Sequence, residues 1–281
     1  MTVTRIFDYD QLDVWGPWFT AIMSDVAGPT IMKAAENSRP EYIEYSRQLF
    51  ENEIGLQKLI EELNSRLSPY AVRVYHGTRL GEDELASVKF HGLRPLTLVD
   101  RKDILVRSFK HHPDWTKEQH KLDGILHQLG VGWESGGCGK REDGGVHVCL
   151  SRAGLLHGCN YYLRHGAEVD HHVAYALFEN DKSAEDLLRV GRRARLISFT
   201  APFPEAAIAA NPRGFPGHQM PSLLSKLFSA WAFSLSHKSF SVASQRDSVA
   251  LRFPGPISAD RLVIEDIPDD MLDRGSRNAA N

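Results

Sequence analysis

The chain has 281 residues, with 33 Lys or Arg against 36 Asp or Glu, and a formal charge of −3. That balance argues against a protein held on nucleic acid by bulk positive charge. Hydrophobic residues at 42% and charged residues at 25% are ordinary globular values, which excludes a disordered chain, a collagen-like repeat and a disulfide scaffold.

The N-terminus carries Asp8, Asp10 and Asp13 where a signal peptide needs a basic start and an apolar stretch. A cytoplasmic protein is expected, a location that remains compatible with export by a specialised secretion system. Ser38-Arg39-Pro40-Glu41 has the form of a capping box, and Leu49, Leu56, Leu59, Ile60, Leu63 and Leu67 recur behind it. This predicts one helix of about seven turns, ended by Ser68-Pro69. Residues 1–70, with Trp15 and Trp18, therefore read as a helical N-terminal region preceding a second region over 71–281.

Ala71 to Tyr75 alternates as a strand, with Tyr75-His76-Gly77-Thr78 at its end. Glu82 to Phe90 predicts a helix burying Leu85 and Val88, with Gly92 at its exit. Glycines 136, 137, 139, 144 and 145 predict a mobile loop ahead of a strand over Val146 to Leu150. Asn160 to Phe178 reads as a helix followed by a strand, and Arg195 to Phe199 as a further strand. The five prolines between Ala201 and Pro221 predict a long irregular loop. Leu223, Leu224, Leu227, Phe228, Trp231 and Leu235 fall on one face of a helix, whose lysine and serines rule out a membrane span. Asp247 to Phe253 and Arg261 to Ile264 complete a mixed α+β pattern.

The chemistry begins at His76-Gly77. A strand-end histidine can bond a ligand hydroxyl, and a glycine without Cβ lets its backbone approach a planar amide closely. Gly92-Leu93-Arg94-Pro95 follows, then Gly145-Val146-His147-Val148-Cys149-Leu150-Ser151 and Asn160-Tyr161-Tyr162. In this order the segments resemble the ADP-ribosyltransferase superfamily, in the branch of poly(ADP-ribose) polymerases and diphtheria-type toxins. The resemblance covers residues 70 to 268 in layout, with identities confined to these islands. It implies a split β-sheet core with a helical N-terminal extension. It also implies NAD as co-substrate and transfer of ADP-ribose to a macromolecular acceptor, protein or nucleic acid, as in a bacterial toxin or effector.

By that resemblance His76 holds the adenine-side ribose and Gly77 pairs through its backbone with the nicotinamide carboxamide. Tyr161 stacks on the nicotinamide ring, Tyr162 being the alternative one position away. Thr78 orients the loop, and Arg94 approaches the phosphates. His147 stands where the family has a tyrosine. The family's catalytic glutamate is missing from Ser244 to Leu251, so the carboxylate that supports the ribose cation falls to Asp247, with Gln245 orienting the ribose or the acceptor. Glu265, in an acidic tail, is a poorer candidate.

Two other readings stand beside this one. An RNA 2′-phosphotransferase shares the H-G-T and a V-H-L-S-like segment, but its L-R-H-G segment precedes the H-G-T, whereas Leu163-Arg164-His165-Gly166 follows it. A non-catalytic NAD-binding or partner-binding module is the reading motivated by the missing glutamate. The thirteen histidines, including His165, His171 and His172 near Cys149 and Cys159, show no recognised ligand spacing, so no metal residues are assigned. Three cysteines without C-x-x-C spacing read as reduced thiols. Arg189, Arg192, Arg193 and Arg195 are a basic run that meets phosphates or solvent. Lys110, His111, His112, Trp115 and Lys117 form a second basic stretch, suited to single-stranded nucleic acid or to a plain surface loop. Residues 1–70 are expected to contact the acceptor, shield the NAD cleft or bind an inhibitory partner.

Overall fold

The structure is a computed structural model and describes residues 5–95, 97–134, 145–179, 181–211, 219–245 and 249–273. In chain order, β1 (Ile6–Phe7) leads into α1 (Leu12–Asn37), which is broken at Gly28, where φ is +74°. Then come α2 (Gln48–Ile54), α3 (Leu56–Leu67), β2 (Ala71–Leu80) and α4 (Glu82–His91). After these lie α5 (Leu98–Phe109), α6 (Trp115–Glu118), α7 (Leu122–Glu134), β3 (Gly145–Cys149), α8 (Tyr161–His165), α9 (Glu168–Phe178) and α10 (Lys182–Leu187). The chain closes with β4 (Arg193–Pro202), α11 (Phe203–Ala210), α12 (Ser222–Ser236), β5 (Ala250–Pro254), β6 (Val263–Ile267) and α13 (Asp269–Asp273). Helices and a mostly antiparallel sheet make this a mixed α+β chain. No described helix is long and apolar enough to cross a membrane.

Strand order is β5-β3-β2-β4-β6, with β1 parallel to the start of β2 in the register Ile6↔Ala71. The chain divides into two compact units, each gathered from three segments. The first holds residues 1–75, 148–154 and 199–252, the second residues 76–147, 155–198 and 253–281.

The first unit is built on an aromatic core. Phe19 stacks on Phe228 with centroids 5.9 Å apart, and Phe50 and Trp231 close round them. Trp231, buried with the apolar face of α12, donates its indole N–H to Thr20 at 2.9 Å, so the one polar atom of a large apolar group is satisfied. At the sheet, the Tyr75 hydroxyl lies 2.8 Å from both carboxylate oxygens of Asp8. Burial pushes the Asp8 carboxyl above its ordinary value, against the pull of that bond and of Arg73. Asp10 accepts from Ser151 Oγ at 2.6 Å and from the Ala153 N–H at 2.8 Å.

The second unit packs α5, α7, α9 and α10 around Leu105, Phe109, Leu122, Leu126, Val173 and Leu177. Its strand pair is β4 with β6, antiparallel from Ala194↔Ile267 to Ser198↔Val263. Leu93 and Ile257 form a two-bond bridge, with N···O distances of 2.9 and 2.7 Å.

Several sequence expectations are corrected. The seven-turn helix is a 3₁₀ turn followed by α2 and α3, because Gly55 sits at φ +88° and breaks the run. Ser38 does not begin a helix. It caps the end of α1, donating its N–H to the carbonyls of Ala34 and Ala35. The expected helix-then-strand over 160–178 is two helices, since Gly166 at φ +89° ends α8 and Val169, Val173 and Leu177 then repeat at helical spacing on a buried face. The proline-rich stretch contains α11, started by Pro202 at the cap and Pro204 in the first turn, where a missing N–H costs nothing. The glycine loop lies outside the described residues over 135–144.

Candidate functional site

β2 carries the histidine of the H-G-T segment, and it runs on to Leu80, so His76, Gly77 and Thr78 are inside a strand and not at its end. β2 pairs with β3 at Tyr75↔Cys149. One residue further on, the bond across is made by a side chain, as His76 Nδ1 lies 2.8 Å from the carbonyl oxygen of His147. A carbonyl only accepts, so Nδ1 carries the proton and Nε2 of the neutral ring is left as an acceptor. Nε2 has no partner among the described residues. Burial holds the imidazole below its usual pKa, with the charges of His147 and Arg101 adding to the effect and the bond to His147 opposing it. The ring is therefore neutral at pH 7. The ring of His147 itself is exposed.

Alternation along β2 puts His76 and Thr78 on one face and Gly77 and Arg79 on the other. The second face is covered by α8. A β-carbon at Gly77 would stand 3.0 Å from Leu163 Cγ and 3.6 Å from Leu155 Cδ2, closer than side chains pack at the first of these. Leu163 is fully buried and is the next residue after Tyr161-Tyr162. The bare Cα at Gly77 is thus what lets the helix bearing both tyrosines settle on the strand. The position of α8 is fixed further by Arg79, whose buried guanidinium donates to the Leu163 carbonyl at 3.1 Å, the Arg192 carbonyl at 2.8 Å and both oxygens of Asp269, the nearer at 2.7 Å. Asn160 donates to the Leu272 carbonyl at 3.2 Å, so α13 is tied to α8 a second time.

Tyr161 is 37% exposed, and its ring centroid lies 5.0 Å from both His165 and His171 and 6.0 Å from Tyr162. Burial, then the charges of Glu168 and Glu185, push its hydroxyl up to about 12, so it stays protonated. Gly92, at φ +81°, has no room for a side chain, since a β-carbon would lie 1.9 Å from the Ile257 carbonyl oxygen. Arg94, just beyond the Leu93 bridge, is exposed and donates to Asp100 at 3.4 Å. Asp100 is already engaged in capping α5 through Thr97, bonds that hold its carboxyl below the ordinary value.

His76, Gly77, Thr78, Arg94, His147, Tyr161 and Tyr162 all belong to the second unit. Gln245 ends a 3₁₀ turn in the first unit and is exposed. Asp247 lies outside the described residues. A cleft of about 470 Å³ in the first unit is lined by Arg47, Glu51, Ser225 and Lys226 among others, and includes none of the residues assigned to NAD.

Part of each basic stretch is engaged within the fold. Arg195 is 3% exposed and pairs with Glu82 at 2.9 Å and Asp266 at 3.3 Å, while Arg192 pairs with Glu84 at 2.5 Å. His112 is buried, stacks on Phe178 at 3.8 Å and bonds Asp181 at 3.2 Å, while Trp115 packs on the core of the second unit. Arg193 in the first stretch and Lys110, His111 and Lys117 in the second are exposed. Cys149 and Cys159 form no disulfide.

Sequence reasoning missed Arg79, whose partners lie 84 to 190 residues away, and the close group of His165, His171 and Glu185. A hydrophobic repeat at 169, 173 and 177 marks the helix that places His171, but nothing local links it to Glu185. The chain matches no protein-family model, no curated protein and no solved structure.

Proposed function

We propose that this protein is an NAD-dependent ADP-ribosyltransferase of the split-sheet kind, releasing nicotinamide and passing ADP-ribose to a macromolecule. The observation that carries the reading is the packing of the N-Y-Y helix onto the bare Cα of Gly77. It joins two separate islands of the family pattern, 83 residues apart from Gly77 to Asn160, in one local structure. The bond from the His76 ring to the His147 carbonyl, across from β2 to β3, ties a third island of the pattern to the same place.

In this reading Nε2 of His76 accepts a hydrogen bond from a ribose hydroxyl. The backbone N–H and C=O of Gly77 lie in the plane of the sheet, between its two faces. A carboxamide bonded there has the His76 side on one hand and the α8 side, with Tyr161 or Tyr162, on the other. Stacking on such a ring contributes about 0.5–1.5 kcal/mol beyond area burial. Arg94 must exchange its long bond to Asp100 for a phosphate oxygen, a modest cost for an exposed pair, and Thr78 and His147 border the same strands.

The bond that breaks joins C1 of the ribose to the nicotinamide nitrogen, and nicotinamide leaves with the electron pair. The acceptor's nucleophile forms the new bond at C1 and loses its proton. Asp247 supplies the carboxylate that supports the developing cation through the 2′-hydroxyl, and Gln245 orients the ribose or the acceptor. Asp247→Ala is expected to spare NAD binding and to lower turnover by roughly 10²–10³-fold.

The test incubates the purified full chain with labelled NAD and cell lysate, following nicotinamide release and label in protein, RNA and DNA. Binding of NAD with no label transferred and no nicotinamide released overturns the enzyme in favour of a binding module. Removal of a 2′-phosphate from spliced RNA overturns it in favour of the phosphotransferase.

A further inference from the structure

His165 at the end of α8, His171 on α9 and Glu185 on α10 come together from three helices. One donor atom from each lies within 4.8 Å of the other two. His171 is 8% exposed, and its Nε2 lies 3.4 Å from the carbonyl oxygen of His165. That oxygen only accepts, so the proton sits on Nε2 and Nδ1 is bare. Bare Nδ1 then faces a Glu185 carboxylate oxygen 3.9 Å away. Two acceptors facing each other across that gap repel unless a cation stands between them. His165 brings a ring nitrogen to the same group, and its Nδ1 is buried with no hydrogen-bond partner. An orphaned buried ring nitrogen is a cost that a ligand at this point removes.

We propose that His165, His171 and Glu185 bind a divalent transition metal of the zinc class. Two imidazole nitrogens and a carboxylate are a donor set that suits it, with one position left open to water. Donors at about 2.1 Å on a tetrahedral ion lie about 3.4 Å apart, so the 3.9 Å pair needs little movement. Glu185 is half exposed and free to rotate inward. The bond from Nε2 to a backbone carbonyl fixes the ring and its tautomer as it does for metal-bound histidines generally.

The ion would tie α8, α9 and α10 together behind the Tyr161 ring. The inference stands on these three side chains and holds whether or not NAD is the substrate.

The test strips the full chain with a chelator, adds Co²⁺ as a spectroscopic probe, and then titrates Zn²⁺ by calorimetry and by thermal unfolding. Expected are visible ligand-field bands, one Zn²⁺ per chain and a raised unfolding temperature. Glu185→Gln, at a half-exposed position that folding tolerates, should weaken Zn²⁺ binding on the order of tenfold or more. His171→Ala should abolish the bands, and His172→Ala, whose ring is 57% exposed beside Glu168, should leave them unchanged. Absence of bands and of a Zn²⁺-dependent shift in the wild type overturns the site and leaves a histidine–carboxylate contact without a metal. Equal binding by wild type and Glu185→Gln also overturns it, placing the ion on other histidines.

Discussion

Gly77 has two reasons to be glycine, and a double-mutant cycle separates them. In Gly77→Ala the new methyl group meets Leu163 Cγ at 3.0 Å and Cδ2 at 3.3 Å, while Leu155 at 3.6 Å is in ordinary contact. Leu163 is fully buried, and its carbonyl is held by Arg79, so α8 has to give by several tenths of an ångström. Overpacking of this kind costs about 1–3 kcal/mol. Leu163→Ala alone costs about 2–5 kcal/mol as a cavity. In that background the alanine at 77 has room, and relief from a strand-interior glycine is worth roughly 0.5–1 kcal/mol. The cost of Gly77→Ala should therefore vanish or change sign in the Leu163→Ala protein, a coupling of about 1.5–4 kcal/mol by urea unfolding. NAD affinity behaves differently if the backbone at 77 meets a carboxamide: it stays weakened relative to Leu163→Ala in the double mutant, where the alanine no longer costs stability. An unchanged stability cost for Gly77→Ala in both backgrounds would refute the Leu163 contact as its cause. Affinity that recovers with stability would refute the close-approach role.

Three further outcomes are expected. His76→Ala should weaken NAD binding by about 0.5–1.5 kcal/mol, the worth of one neutral hydrogen bond, which is roughly 2- to 13-fold in a calorimetric Kd; an unchanged Kd removes His76 from the site. Gly92→Ala places a β-carbon 1.9 Å from the Ile257 carbonyl at a φ of +81°, adding backbone strain and severing the Leu93–Ile257 bridge, for roughly 2–6 kcal/mol in all; a loss under about 1 kcal/mol in urea unfolding contradicts that geometry. Asp269, bonded to buried Arg79, titrates below its ordinary value of 3.8. Its contribution is complete above that value and disappears as pH falls through the lower, folded one. Because Asp269 is half exposed, Asp269→Asn should cost only about 1–2 kcal/mol at pH 7, and its stability should flatten as the pH falls below 3.8, where the wild type still loses stability. Parallel pH curves for the two proteins would break this assignment.

The parts of the fold that declare themselves in sequence are those set by local repetition. Val72 and Val74 announce β2, and the spacing from Leu223 to Leu235 announces α12, because a buried face imposes its own period. Two of the misread elements turned on single glycines. Gly55 and Gly166 each end a helix that the apolar pattern would otherwise continue or replace, and a positive φ leaves no mark on hydrophobic periodicity. The site divides in the same way. His76 and Gly77 stand out because their chemistry is local, whereas the His147 carbonyl that fixes the tautomer, the Leu163 side chain that demands the glycine and the Asp269 carboxylate that holds Arg79 are contacts between distant segments. The expected residue on which turnover rests, Asp247, lies outside the described residues, so its role is carried by the chemistry of the reaction alone.

The way each unit is gathered from three stretches of chain has a bearing on biosynthesis. The first cannot close until residues 199–252 have left the ribosome, and the second waits for 253 onward. At about 5–20 residues per second, roughly 9 to 35 seconds separate the emergence of Tyr75 from that of Arg252. Throughout that interval the apolar side chains of α1 and α2 lack α12, the helix that covers them. No single peptide bond can be cut to release either unit whole.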